Sequence, residues 1–401
     1  MAIVLIGTLD TKAEEIAFAR DVLEASGTAV HVVDTGILDE PGFEPDTTAS
    51  EVATGADTSL GAVRNNADRG TAIEVMADGA ATVATQLHEE GVLDGVLGLG
   101  GSGNTSIATT AMRALPVGVP KVMVSTMASG DTEPYVGATD IAMINSVVDV
   151  EGLNQLSRQV ITNAAMAVVG MATADPAVEV DTGPTIGITM FGVTTPCVQA
   201  ARTALEDEGY ETIVFHATGT GGQAMESLVR EGVIDGVLDV TTTELADELV
   251  GGVLSAGSAR LDAAGEAAIP QVVSLGALDI VNFGPRESVP EEFENRQLHS
   301  HNPQVTLMRT TPVENKRLGK LIADKLNAAT GPTTLAVPRG GLSLLDVPGE
   351  SFHNPAADQA LVRSLKEHLN DDVELIESET DINDEAFAQR LVKALMAAMR
   401  D

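Results

Sequence analysis

Short apolar runs alternate with longer stretches of helical period along most of the chain. Ala2–Gly7 predicts a strand, and the apolar spacing over Thr11–Ser26 predicts a helix stopped by Gly27. Ala29–Val33, Gly95–Leu99 and Lys121–Ser125 read as further strands. Near residue 180 the cycle restarts, with a strand at Thr185–Met190, a helix at Pro196–Glu208 stopped by Gly209, and a strand at Glu211–His216. Thr334–Val337 predicts a late strand, and Asn354–Asn370 and Asp384–Met399 predict amphipathic helices. The alternation predicts an α/β fold: two Rossmann-like, doubly wound parallel-sheet halves with a cleft between them.

An internal repeat underlies the restart. Ile3–Gly36 and Ile186–Gly219 share the order strand, turn, helix, glycine stop, strand, Thr-Gly, and Glu90–Leu97 matches Glu231–Leu238 at nearly every position. The offset falls from 183 residues at the first landmark to 141 at the second, so the N-terminal half holds about 42 extra residues, roughly Leu38–Thr71. Pro, Gly, Asp and Thr are frequent there, which predicts turns over packed core: a lid, or a segment that builds a dimer interface. The halves are expected at 1–175, with the excursion at about 38–71, and at 184–401, joined by a linker within Ala172–Gly183 that allows a hinge.

Charge narrows the partners. Against 59 acidic residues stand 23 basic ones, a formal charge of −36, which repels nucleic-acid backbones and anionic membranes. The basic set is 7 Lys and 16 Arg, and with so many carboxylates this suits a cytosol at high salt, a halophilic signature. A single cysteine, Cys197, rules out an internal disulfide and a cysteine-based zinc cluster. The N-terminus has no basic region or cleavage site, and no apolar run approaches the ~20 residues that span a bilayer, so a cytoplasmic location is expected.

The strongest chemical signal is the loop Gly100-Gly101-Ser102-Gly103-Asn104-Thr105, between a predicted strand and the helical Ile107–Leu115. Glycines there let backbone approach a ligand, and free amides at a helix start favour an anion such as phosphate. Ser102, Asn104, Thr105 and Ser106 would add side-chain donors. No Gly-Lys-[Ser/Thr] follows, so this is not a Walker A loop. The first strand–helix turn offers Thr8, Asp10, Thr11 and Lys12, with Asp10 or Thr11 as helix cap and Glu14 completing a capping box. Ser125 and Thr126 follow another strand and could place hydroxyls in the same cleft. His301 could act as general acid or base with a carboxylate partner, and Arg339 beside Gly340 and Gly341 suits a carboxylate or phosphate.

Several of these stretches together resemble one family. Gly7–Lys12, Gly100–Ser106, Ala114–Lys121, Val124–Gly130, Ser146–Asp149, Gly187–Thr195, His301-Asn302-Pro303 and Pro338–Ser343 look like the Tm-one-like ATP-binding family, two-domain α/β proteins similar to the N-terminal region of a plant tobamovirus-resistance protein. The resemblance covers essentially the whole chain. It implies Rossmann-like halves, dimerisation, and ATP as ligand; among the residues of the first turn, Asp10 is the candidate Mg²⁺ contact. The family loop often reads Gly-Gly-Ser-Gly-Gly-Thr, and this chain has Asn104 in place of the last Gly. Three functions stay open: a nucleotide-binding protein with its ligand in the cleft between the halves and phosphates on the glycine loop, an enzyme acting on a small carboxylate or phosphorylated metabolite through His301, and a non-catalytic, nucleotide-dependent interaction protein.

Overall fold

The computed structural model describes residues 1–66, 68–174 and 183–400. Most of the expected linker, 175–182, lies outside the described residues; Ala172 and Thr173 end a helix. The chain divides into two compact units, residues 1–179 and 180–401.

In the first unit the order is β1 (Ala2–Gly7), α1 (Ala13–Ala25), β2 (Ala29–Asp34), α2 (Ala49–Gly55), α3 (Leu60–Asn66), α4 (Arg69–Glu89), β3 (Gly95–Gly100), α5 (Ser102–Arg113), β4 (Lys121–Ser125), α6 (Glu133–Val136), β5 (Ala142–Asn145) and α7 (Gln155–Thr173). The strands form one parallel sheet in the order β2-β1-β3-β4-β5. Alternation along β1 sorts the core: Val4 and Ile6 face α2–α5, while Ile3 and Leu5 face α1 and α7. Both faces are covered, so the sheet strands read as unbroken apolar runs.

The extra segment after β2 is not the turn-rich excursion its composition predicts. Its two prolines, Pro41 and Pro45, precede Thr48, which caps α2 through a capping box with Glu51. Beyond that point Val52, Ala53 and Val63 are buried in the core beside Val4, Ile6 and Val33. Apolar residues three and four apart outweigh the helix-breaking composition of the stretch before them.

The second unit runs β6 (Thr185–Met190), α8 (Thr195–Asp207), β7 (Glu211–His216), α9 (Thr220–Arg230), β8 (Gly236–Thr241), α10 (Thr243–Val250), α11 (Ala263–Glu266), β9 (Gln271–Gly276), β10 (Ile280–Phe283), β11 (Leu298–Asn302), β12 (Val305–Arg309), α12 (Pro312–Ala328), β13 (Thr333–Pro338), α13 (Pro355–His368), β14 (Glu374–Ser378) and α14 (Glu385–Ala398). Its six parallel strands are ordered β14-β13-β9-β8-β6-β7, the first unit's order read from the other edge with one strand added. A three-stranded antiparallel sheet, β10-β12-β11, is inserted between β9 and β13. The fold is therefore α/β with two Rossmann-like parallel sheets. Among the described residues no helix is long and apolar enough to cross a membrane.

Candidate functional site

In open parallel sheets, ligands bind beyond the carboxyl ends of the strands where the strand order reverses. In the first unit that point lies between β1 and β3, and a cavity of about 370 Å³ opens there. Thr8, Asp10, Thr11 and Lys12 line it from the turn after β1, and Gly100–Asn104 from the turn after β3. Ile37, Leu38, Ala72, Ile73, Met76 and Ile107 form an apolar wall, with Arg69 and Asp149 at its margin. Every lining residue belongs to the first unit.

The loop after β3 is held from beneath. Gly100 has φ +158°, and a Cβ there would lie 2.8 Å from that of Asn104. Asn104 is buried: its Nδ2 donates to Leu99 O at 2.6 Å and Ile6 O at 3.3 Å, and its Oδ1 accepts from Thr35 Oγ1 at 3.1 Å. The expectation that Asn104 and Thr105 offer side-chain donors to a ligand is thereby corrected. Asn104 ties α5 to β1 and the turn after β2, and Thr105 Oγ1 donates to Gly101 O at 2.8 Å and pairs with Ser125 Oγ at 2.7 Å. Ser106 donates to Ser102 O. Ser125 also accepts from the Met127 amide and is closed to solvent, so it braces the loop instead of facing the cavity. The Thr126 hydroxyl lies beside Gly101. What the loop presents is backbone: α5 has no side-chain cap, and the amides of Ser102, Gly103 and Asn104 have no acceptor among the described residues.

The turn after β1 departs from its expected cap. Lys12 itself is the N-cap of α1, without a side-chain cap bond, and Thr11 Oγ1 pairs with Thr8 Oγ1 at 3.0 Å, so the Thr11–Glu14 capping box does not form. Lys12 is half-buried and has no ion pair among the described residues; neither has Arg69, at the start of α4. Asp10 Oδ2 accepts from the Leu38 amide at 2.8 Å, while its Oδ1 is buried without a partner. Asp34, which sequence reasoning missed, accepts from the amides of Leu9 at 2.9 Å and Gly36 at 2.8 Å and joins the turns after β1 and β2. Burial pushes its carboxyl above the usual range, against those two amides. A charged residue closing the apolar run of β2 was the available signal. Arg69 carried no local signal.

At the matching switch point of the second unit, Asp239 near the end of β8 and Glu244 in α10 supply carboxylates. Asp239 accepts from Arg260 Nη2 at 2.8 Å and from Thr189 Oγ1 at 2.6 Å, and Glu244 accepts from Arg260 Nε at 2.7 Å. All four side chains are buried.

The remaining candidates belong to the second unit. His301 is exposed on β11 and has no hydrogen bond or ion pair among the described residues, so the expected carboxylate partner is absent there. Arg339 is not a free anion clamp: its Nη1 lies 2.7 Å from Glu377 Oε1. A Cβ on Gly340 would stand 2.5 Å from the Asp381 amide, so that glycine serves close packing. With Gly341 these residues line a cavity of about 80 Å³ that also holds Asp346 and Asp358, a poor setting for an anion. Cys197 is buried, and burial with the charge of Asp381 pushes its thiol up to about 12, so it is inert.

The chain matches known proteins over nearly all its length. Residues 1–177 match the N-terminal domain, and 183–399 the C-terminal domain, of an uncharacterised protein family, UPF0261. A family protein of Clostridium tetani is 52% identical over 99% of this chain and 98% of its own. One from Rhizobium meliloti is 47% identical over 100% of this chain and 98% of its own. The ToMV resistance protein Tm-1 of Solanum lycopersicum is 43% identical over 98% of this chain, which spans 55% of that protein. A solved UDP-N-acetylglucosamine 2-epimerase from Rickettsia bellii aligns at 11% identity, covering 100% of this chain and 96% of its own, with a TM-score of 0.24, a likeness too slight to bear on chemistry. With both family domains matched in order, the chain belongs to the UPF0261 family.

Proposed function

We propose that the first-unit cavity binds a phosphorylated small molecule, with ATP the leading candidate. One observation carries this: in a chain of charge −36, Lys12 and Arg69 line one pocket without ion pairs, beside three amides of α5 that lack acceptors. Two cations and three open helix-start amides lining one cavity at a strand-order reversal suit an anionic ligand. The apolar wall of Ile73, Met76 and Ile107 would receive the body of the ligand.

Among the described residues no three metal-ligating side chains come together. Magnesium usually takes only one or two carboxylates and completes its shell with phosphate oxygens and water. Asp10, with its unpartnered Oδ1, and Asp149 are the carboxylates that would hold it. The ion would supply charge neutralisation of the phosphates.

Titration calorimetry with ATP, at a salt concentration where the protein is folded, tests the proposal. Micromolar to submillimolar binding supports it, and no heat at millimolar nucleotide with an intact fold overturns it. The enzyme reading through His301 draws nothing from a ring that is exposed and unpartnered.

A further inference from the structure

We infer that the insertion forming α2, α3 and the start of α4 makes the pocket count charge: Arg69 selects ligands with two or more adjacent negative charges, the diphosphate class, over monophosphates. This rests on the reading that the cavity binds a phosphorylated ligand. Lys12 and the α5 amides already supply what a single phosphate needs, a cation and helix-start donors. Arg69 adds a second cation from a separate element, and its planar fork suits paired phosphate oxygens.

Its position is fixed rather than incidental. Asp68 caps α4, accepting from the amides of Gly70 at 2.8 Å and Thr71 at 3.1 Å. Ala72 and Met76 anchor the same turns of α4 in the core. The backbone at Arg69 is therefore held by a capped helix start, from which its exposed side chain lines the cavity. Asp10 and Asp149 also line the pocket and penalise an anion that its cations do not offset. In the second unit a single helix, α9, fills the interval between β7 and β8, and no counterpart of Arg69 exists there. The insertion thus adds a second charge to the first unit's cavity.

The test is calorimetry of the full chain and of Arg69→Gln and Arg69→Lys with inorganic phosphate, pyrophosphate, AMP and ADP. The unmodified protein is expected to bind ADP about tenfold or more tighter than AMP, and pyrophosphate likewise over phosphate. Arg69→Gln should bring ADP within about threefold of AMP, with the larger loss of affinity falling on ADP and pyrophosphate. Arg69→Lys should keep part of the preference. Equal binding of AMP and ADP by the unmodified protein, or a preference that survives in Arg69→Gln, overturns the role of Arg69 and leaves the phosphate reading standing. Failure of all four probes to bind the folded protein overturns both.

Discussion

Arg260 donates from Nε to Glu244 at 2.7 Å, with both side chains closed to solvent. Glu244 lies 141 residues beyond Gly103, the offset of the internal repeat, so the two units place a carboxylate and a glycine at matching points after a sheet strand. The Glu244 Oε1 atom accepts from the amides of Gly219 at 2.7 Å and Gly222 at 3.1 Å, at the start of α9. That carboxylate satisfies helix-start amides from within the chain, and Arg260 neutralises it. The second unit has closed its switch point internally, whereas the first has left its own open.

Arg260→Ala should therefore damage the second unit severely. It strands Asp239 and Glu244 as buried carboxylates without their cation, a loss of about 3–5 kcal/mol. Urea unfolding followed by hydrogen exchange would show early opening of β6 and β8, with β1 and β3 protected as before. An unshifted transition would mean the network is not needed for folding.

Lys12→Ala should weaken nucleotide binding by about tenfold or more, because a charge-assisted contact is lost. Stability should scarcely change, since Lys12 makes no ion pair among the described residues and no side-chain cap for α1. Calorimetry paired with thermal melting separates the two effects, and equal affinity in the variant would remove Lys12 from the site.

Asn104→Ala acts in the opposite sense. Removing the amide leaves the carbonyls of Leu99 and Ile6 and the Thr35 hydroxyl without a buried partner, a cost of about 2–4 kcal/mol. The urea midpoint of the first unit should fall while any remaining folded protein still binds ligand. A loss of binding at full stability would instead make Asn104 a ligand contact.

The pH dependence has a definite sign. Asp279 is fully buried, and its burial, reinforced by the charge of Asp346, raises its carboxyl to about 7 from an ordinary 3.8. The folded state then binds the extra proton, so this contribution is complete below about pH 4 and is lost as pH rises through about 7. Asp247, raised by burial to about 7, acts in the same direction. Thermal melts between pH 5 and pH 8 should show stability falling with pH, and Asp279→Asn should flatten that slope. A rise with pH would contradict a protonated Asp279.

Where a segment's apolar run is unbroken and bounded by turn residues, its strand was legible to the residue: β1, β4, β6 and β7 occupy the expected bounds. The antiparallel strands β10–β12 carry weaker signals, because His299 and Ser300 interrupt the apolar pattern on an edge strand. Helices α2 and α3 were hidden by the Pro- and Gly-bearing stretch ahead of them. The glycine loop and Lys12 were legible because their chemistry lies in one local strand–turn–helix.

The linear pattern by itself determined the parallel α/β layers, the duplication and the glycine loop, since periodicity and turn chemistry act between near neighbours. Which groups remain free was decided by tertiary structure alone. Arg69 stands 57 positions from Lys12 and meets the same cavity only because β3 pairs beside β1. Asn104 carries the right donors but bonds to Leu99 and Ile6, Thr105 and Ser125 bond to each other, and Arg339 bonds to Glu377. A donor's availability depends on what the fold brings within about 3 Å of it, and sequence spacing does not encode that distance.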